Sequence, residues 1–246
     1  MSALINLRFA RPFLALKRVR RALGVMVISM LTFSGFAGQA LRRQSQSDFL
    51  QRSIGNQRFE NTTTVDALVS VLTVTGVPGG IVLKGGCTEP ERYTFLPAGK
   101  KLREALNSFV SVDRAYKWEV DNKGTVDLRL ISGDPQLLRL RFPKLSIKDA
   151  SSARQAVDQV LAKPETRKRV RELGLTEGVV RIGPSDLPRP GAGPNQYVRK
   201  LSLDLKNVSL RQALNAIVQA HGQAIWAYTE QHCRGRNDFT VDLLRQ

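Results

Sequence analysis

The chain has 246 residues, 42% of them apolar, which is enough for one or two globular cores and too much for general disorder. Its formal charge is +17, from 38 bases against 21 acids, a surplus that speaks to solubility and anionic partners and not to fold. Two cysteines and two histidines at scattered positions leave no four-ligand zinc spacing, so neither a metal nor a cofactor is expected.

In chain order, residues 1–21 hold Arg8, Arg11, Lys17, Arg18, Arg20 and Arg21 and no acid. An apolar run follows from Ala22 to Ala37, then Gly38-Gln39-Ala40. A basic stretch, an apolar stretch and small residues in that order predict an export signal over 1–40. It is cleaved after Ala40 or Ala37, or retained as an anchor facing the periplasm, although the run falls short of the roughly 20 apolar residues of a full bilayer span. Residues 41–55 are polar and read as a linker.

A first domain is expected over 56–132. Arg58–Asn61 ends a strand. Thr63 or Thr64 caps a helix, because a hydroxyl accepts a free first-turn N–H. Ala67, Leu68, Val71 and Leu72 share one face of it, and Gly76 with Pro78 stops it. Ile81–Leu83 and Arg92–Leu96 suit strands, the second by its alternation. Lys100–Val112 presents Leu102, Ala105, Leu106, Phe109 and Val110 at helical spacing. Tyr116–Val120 and Thr125–Leu130 alternate around Asp121-Asn-Lys-Gly124, a set of hairpin-turn residues.

A second domain is expected over 133–246. Leu137–Phe142 reads as a strand from its alternating Leu and Arg. Ser151 or Ser152 caps a helix carrying Ala156, Val157, Val160 and Leu161. Glu165–Leu173 reads as a short basic helix and Val179–Ile182 as a strand. Pro184–Pro194 is a Pro/Gly-rich loop within an insertion at 163–197. Leu201–Leu205 alternates before the helix that starts at Leu210. Ile225–Tyr228 and Phe239–Leu243 read as closing strands, joined by a longer Cys-containing connection.

The two halves share a unit. Leu102-Arg-Glu-Ala-Leu-Asn107 aligns without a gap on Leu210-Arg-Gln-Ala-Leu-Asn215, and Trp118 then falls on Trp226. The other two helices echo the same apolar scheme. The fold class that follows is α+β: two tandem small βαββαββ-type domains, their helices laid on mixed sheets, after the signal segment.

Ser209-Leu-Arg-Gln-Ala-Leu-Asn-Ala-Ile-Val with Trp226-Ala-Tyr228, and Thr125-Val-Asp-Leu-Arg-Leu130 in the first half, make the chain resemble the short N-terminal (STN) domain of secretins and TonB-dependent transducers. The resemblance covers residues 56–132 and, more loosely, 135–246. It implies a periplasmic module that docks other proteins and has no catalytic residues to carry over. No outer-membrane barrel or secretin domain follows here, and the module occurs twice, so the resemblance implies no pore.

Several residues carry candidate chemistry. Cys87 and Cys233 are an even pair that can form an intrachain disulfide between the halves, a bond between chains, or two buried thiols. Cys233 beside His232 could form a nucleophile–base pair, but neighbours on a strand point apart. Trp118 and Trp226 are core residues or a ligand platform. Arg139, Arg141, Arg167, Lys168, Arg169 and Arg171 are candidates for an anionic partner, lipid or wall polymer. Nucleic acid is not expected, because exposed aromatics would have to interleave with these bases and 143–196 has none. The function expected is a non-enzymatic envelope protein that binds a protein partner, with a basic module for anionic wall or membrane polymer as the alternative. A small envelope hydrolase is the third reading.

Overall fold

In the computed structural model, the structure describes residues 48–87, 90–97, 100–178, 200–222, 224–233 and 235–245. The expected signal over 1–40, the strand at 179–182 and the loop at 184–194 lie outside them. The fold is α+β, as the sequence predicts.

The first half runs β1 (Phe59–Thr62), α1 (Thr64–Thr75), β2 (Gly79–Leu83), β3 (Tyr93–Phe95), α2 (Leu102–Val112), β4 (Tyr116–Val120) and β5 (Val126–Leu130). The second runs β6 (Arg141–Ala150), α3 (Ala153–Leu161), α4 (Pro164–Glu172), β7 (Thr176–Glu177), β8 (Leu201–Ser209), α5 (Leu210–His221), β9 (Ala224–Cys233) and β10 (Arg236–Arg245). The helix starts are set by local chemistry. Thr63 accepts from the Asp66 amide, Ser152 from Gln155 and Ser209 from Gln212. Gly76 and Gly222 end α1 and α5 in the left-handed conformation that favours glycine.

The pairings repeat between the halves. β1 pairs β3 antiparallel, as β6 pairs β8. β5 lies between antiparallel β4 and parallel β2, as β10 lies between antiparallel β9 and parallel β7. β1 and β6 each carry an irregularity at a residue with positive φ shortly before the next helix, Asn61 and Asp149, where a bulge re-aims the chain. Thr125-Val-Asp-Leu128 in the first closing strand recurs as Thr240-Val-Asp-Leu243 in the second.

The halves do not keep separate sheets, however. Parallel pairing of β2 with β9 fuses them into one six-stranded sheet, β4-β5-β2-β9-β10-β7, and the expected division at 132/133 falls within one compact unit, Asp48–Gln246. Side chains alternate across a strand, so the two cores take opposite faces of this sheet. Ile81, Val126, Leu128 and Ile225 join α1 and α2 on one face. Val82, Trp226, Tyr228, Phe239 and Val241 join α3 and α5 on the other. The ribbon β1–β3 packs on α2 through Phe59, Phe95 and Phe109, whose rings meet edge-on at 5.0–5.8 Å.

Two strand expectations are corrected. Residues 137–140 are a turn and not a strand, with Leu137 and Leu138 both buried. Their carbonyls are needed elsewhere: Leu140 accepts from the Leu210 amide at 2.8 Å and Leu138 from Arg211 at 3.2 Å, satisfying free amides at the start of α5. The strand is β6, which contains Pro143 and tolerates it because β6 belongs to a two-stranded ribbon. The connection expected between Ile225–Tyr228 and Phe239–Leu243 is itself strand, and β9 and β10 form one long hairpin.

Candidate functional site

The most densely wired polar region lies where the β4–β5 hairpin of the first half meets α5 of the second. A capping box fixes the start of α5: Ser209 accepts from the Gln212 amide and Gln212 accepts from Ser209 N–H at 2.8 Å. Arg211 is thereby held just inside the helix, against β5. Its Nε donates to Asp127 Oδ2 at 3.1 Å and its Nη1 donates to Asp134. Both the Arg211 and Asp127 side chains are only 8% exposed, so this is a buried ion pair. The Arg211 guanidinium also lies over the Trp226 ring, 5.8 Å from its centre.

One turn further on, Asn215 completes the arrangement. Its Nδ2 donates to Asp127 at 3.0 Å and to Asp121 at 3.3 Å, and its Oδ1 accepts from Trp226 Nε1 at 2.7 Å. Asp134 is also held by Arg129, through Nε at 3.2 Å and Nη2 at 2.9 Å. Arg129 reaches Glu119 at 2.6 Å, and Lys117 reaches Glu119 at 2.9 Å. The network thus runs from Lys117 at the sheet edge inward through Glu119, Arg129, Asp134 and Arg211 to Asp127, Asn215 and Trp226.

Burial pushes the Asp127 carboxyl up from its ordinary range, against the opposing pull of Arg211 and Asn215. At the outer end, the bond from Lys117, joined by Arg129, holds Glu119 below its ordinary range despite partial burial. Asp127 Oδ1, Arg211 Nη2 and Thr125 Oγ1 are buried without a hydrogen-bond partner among the described residues. Asp127 Oδ1 faces Gly80, where an added Cβ would stand 2.6 Å from it and 2.3 Å from the Trp226 ring. A cleft of about 490 Å³ runs along the network, with Arg141, Lys206 and Gln212 on its second-half side. What this arrangement does is hold the halves in register: charges of the first half are matched by a guanidinium and an amide of the second.

The sequence candidates are distributed as follows. Cys87 and Cys233 form a disulfide, with Cα atoms 5.5 Å apart, between the segment after β2 and the end of β9. The nucleophile reading of Cys233 is therefore corrected, since a disulfide sulfur is no thiolate. His232 instead meets Asn237 at 3.1 Å. The platform reading of Trp226 is corrected too: it is fully buried. Trp118 is half-buried and donates to Asn107 at 3.0 Å, the same bond in the other copy.

Of the six candidate bases, Arg141 lines the cleft and Arg139 is exposed on the preceding turn. Arg169 braces α4 to that turn through Gln136 at 3.0 Å and also binds Glu172 at 3.1 Å. Arg167 and Arg171 line a second hollow of about 440 Å³ beside Asp158, Glu177 and Phe239. Lys168 is exposed, with Glu172 at 3.9 Å.

Sequence reasoning missed Arg211, Asp127 and Asp134. An arginine in an amphipathic helix reads as solvated, and the available signal was the repeated Thr-Val-Asp-Leu, which puts an acid on a closing strand of each copy. Among the described residues no group of three or more His, Cys, Asp or Glu could hold a metal ion, and no helix is long and apolar enough to cross a membrane. No protein-family model, curated protein or solved structure matches this chain.

Proposed function

We propose that this is an exported envelope protein of the STN-like kind that acts by binding a protein, through addition of a strand to an open edge of its sheet. Support for export comes from the basic and apolar N-terminal sequence and from the disulfide, which persists in oxidising compartments such as the periplasm. Support for the STN-like kind comes from the duplicated βαββαββ pairing scheme.

The observation that carries the binding mode is the outer edge of β4, beyond which no strand pairs among the described residues. Backbone bonds from Asp121 N–H to Thr125 and from Ile131 N–H to Ala115 fix the alternation along the hairpin. Residues 115, 117, 119 and 121 turn their amides and carbonyls toward β5, so Tyr116, Trp118 and Val120 turn theirs outward. Exposed Val112 and Ile131 flank the start of β4, as apolar anchors beside a strand-accepting edge.

Val120→Pro removes an outward amide while sparing the ladder to β5. Recovery from envelope extract of a stoichiometric protein by the wild-type chain, and its loss with Val120→Pro, is the expected result. Equal recovery by both, or none by either, contradicts this reading. A second reading, a basic module for anionic wall or membrane polymer, is favoured by the exposure of Arg167, Lys168 and Arg171 on α4. Binding to anionic vesicles that falls steeply with salt supports it, and salt-independent binding or none removes it.

A further inference from the structure

We infer that the occupant of the β4 edge is β4 of a second copy of this chain, paired antiparallel about a two-fold axis at Trp118. This inference rests on the edge reading above and names its partner. A two-fold interface must be self-complementary, and the five residues of β4 meet that condition in one register.

With Trp118 opposite its own copy, the outward N–H and C=O groups of the two Trp118 residues bond each other. Val120 N–H then meets the carbonyl of Tyr116 in the other strand, on both sides of the axis. Between these bonded pairs, Lys117 of each strand stands opposite Glu119 of the other. That is a non-hydrogen-bonded pair, where side chains approach most closely. Both residues are accessible for it: the Lys117 and Glu119 side chains are 50% and 42% exposed. They already bind one another within a strand at 2.9 Å, so their ammonium and carboxylate reach the same space. The half-buried Trp118 rings fall side by side on the other face, where paired aromatics contribute to strand pairing.

Charge also rejects the neighbouring registers. Shifting the axis to residue 117 puts Lys117 against Lys117, and shifting it to 119 puts Glu119 against Glu119. Like charges directly opposite are unfavourable, so the edge selects against slippage in both directions. With a pairing this short the dimer belongs to the weak, concentration-dependent class of interfaces below about 1,200 Å².

The test is sedimentation equilibrium of the disulfide-intact protein across a concentration series. The expected result is a reversible doubling of mass for the wild type. Lys117→Glu and Glu119→Lys should each weaken it about tenfold or more, since each turns two attractive pairs into repulsive ones. Mixing the two variants should restore association, because a strand acidic at both positions then faces a strand basic at both. That restoration also shows that both variants are folded. Val120→Pro should be monomeric. A wild type that stays monomeric throughout overturns the self-pairing. If that monomer still captures a foreign protein in a Val120-dependent way, the edge reading stands without the dimer. A dimer indifferent to Lys117→Glu and Val120→Pro also overturns the inference, since it forms through another surface.

Discussion

The two copies of the helix–strand unit differ chiefly in what lies against them. Arg103, Asn107 and Trp118 stand where Arg211, Asn215 and Trp226 stand in the second copy. The Trp-to-Asn bond is made in both. Yet Arg103 and Asn107 are exposed and Trp118 half-buried, while their three counterparts are buried. β4 is an edge, whereas β9 has β2 alongside it and β5 of the other copy reaching across to α5. Burial is conferred by the neighbour and not by the unit's own sequence. The same residues serve as a surface in one place and a clamp in the other.

The broadest way to break the second-half environment is to cut the link that pins it to the first. Cys87 and Cys233 are 146 residues apart, and closing so long a loop stabilises by up to about 5 kcal/mol on the chain-entropy account. Denaturant unfolding of Cys87→Ser/Cys233→Ser against the oxidised wild type measures that loss.

The next largest effect separates the two arginines. Arg211→Ala leaves the buried Asp127 without its counter-charge, a loss of about 3–5 kcal/mol, while Asp134 keeps Arg129. Arg103→Ala, on an exposed position, should stay within about 0.5 kcal/mol. Equal losses from the two variants would dissolve the distinction between surface and clamp.

Smaller effects sharpen it. Gly80→Ala drives a methyl into Trp226 and should cost about 1–3 kcal/mol as an overpacked core does. Asn215→Ala leaves the buried Trp226 N–H and Asp127 short of a partner, at about 1–3 kcal/mol. Asn107→Ala exposes the equivalent Trp118 N–H to water and should cost less than half as much. Melting or denaturant curves resolve these differences.

The two ends of the charge network should also titrate with opposite sign. Burial raises Asp127 above its ordinary value of 3.8, so its contribution to stability is complete below that value and is lost as pH rises through the folded-state value. Glu119 is lowered from 4.5, so its contribution is present above that value and is lost as pH falls through the folded-state value. Asp127→Asn should remove a falling slope on the higher-pH side, and Glu119→Gln should remove a smaller acid-side loss, damped by solvent. Stability profiles of the two variants check both signs.

Much of this architecture was legible in residue order. Helix starts were readable from Thr63 and Ser152, and stops from Gly76, because caps are local chemistry. The duplication was readable from Leu102–Asn107 and Leu210–Asn215. The pairing of β2 with β9 was not, because it depends on contacts between residues almost 150 positions apart and leaves no local pattern. Leu137–Arg141 misled because its alternation imitates a strand, while the role of its carbonyls in capping α5 appears only in three dimensions. Pro143 hid β6 in the same way. The polar Thr229–Asp238 stretch gave no burial pattern to read, although it is continuous hairpin but for its turn. Arg211 was hidden because its counter-charges, Asp127 on β5 of the other half and Asp134 just after that strand, lie far from it in sequence.

The claim on which this account depends is that both copies fold as one body through the β2–β9 junction. Native-state hydrogen exchange at the amides of Ile81, Val82, Trp226 and Tyr228 tests it most directly. The account predicts protection of the first-half and second-half amides by the same free energy, falling together in Arg211→Ala. Exchange of the two sets with separate free energies, with one half opening while the other stays closed, would contradict it.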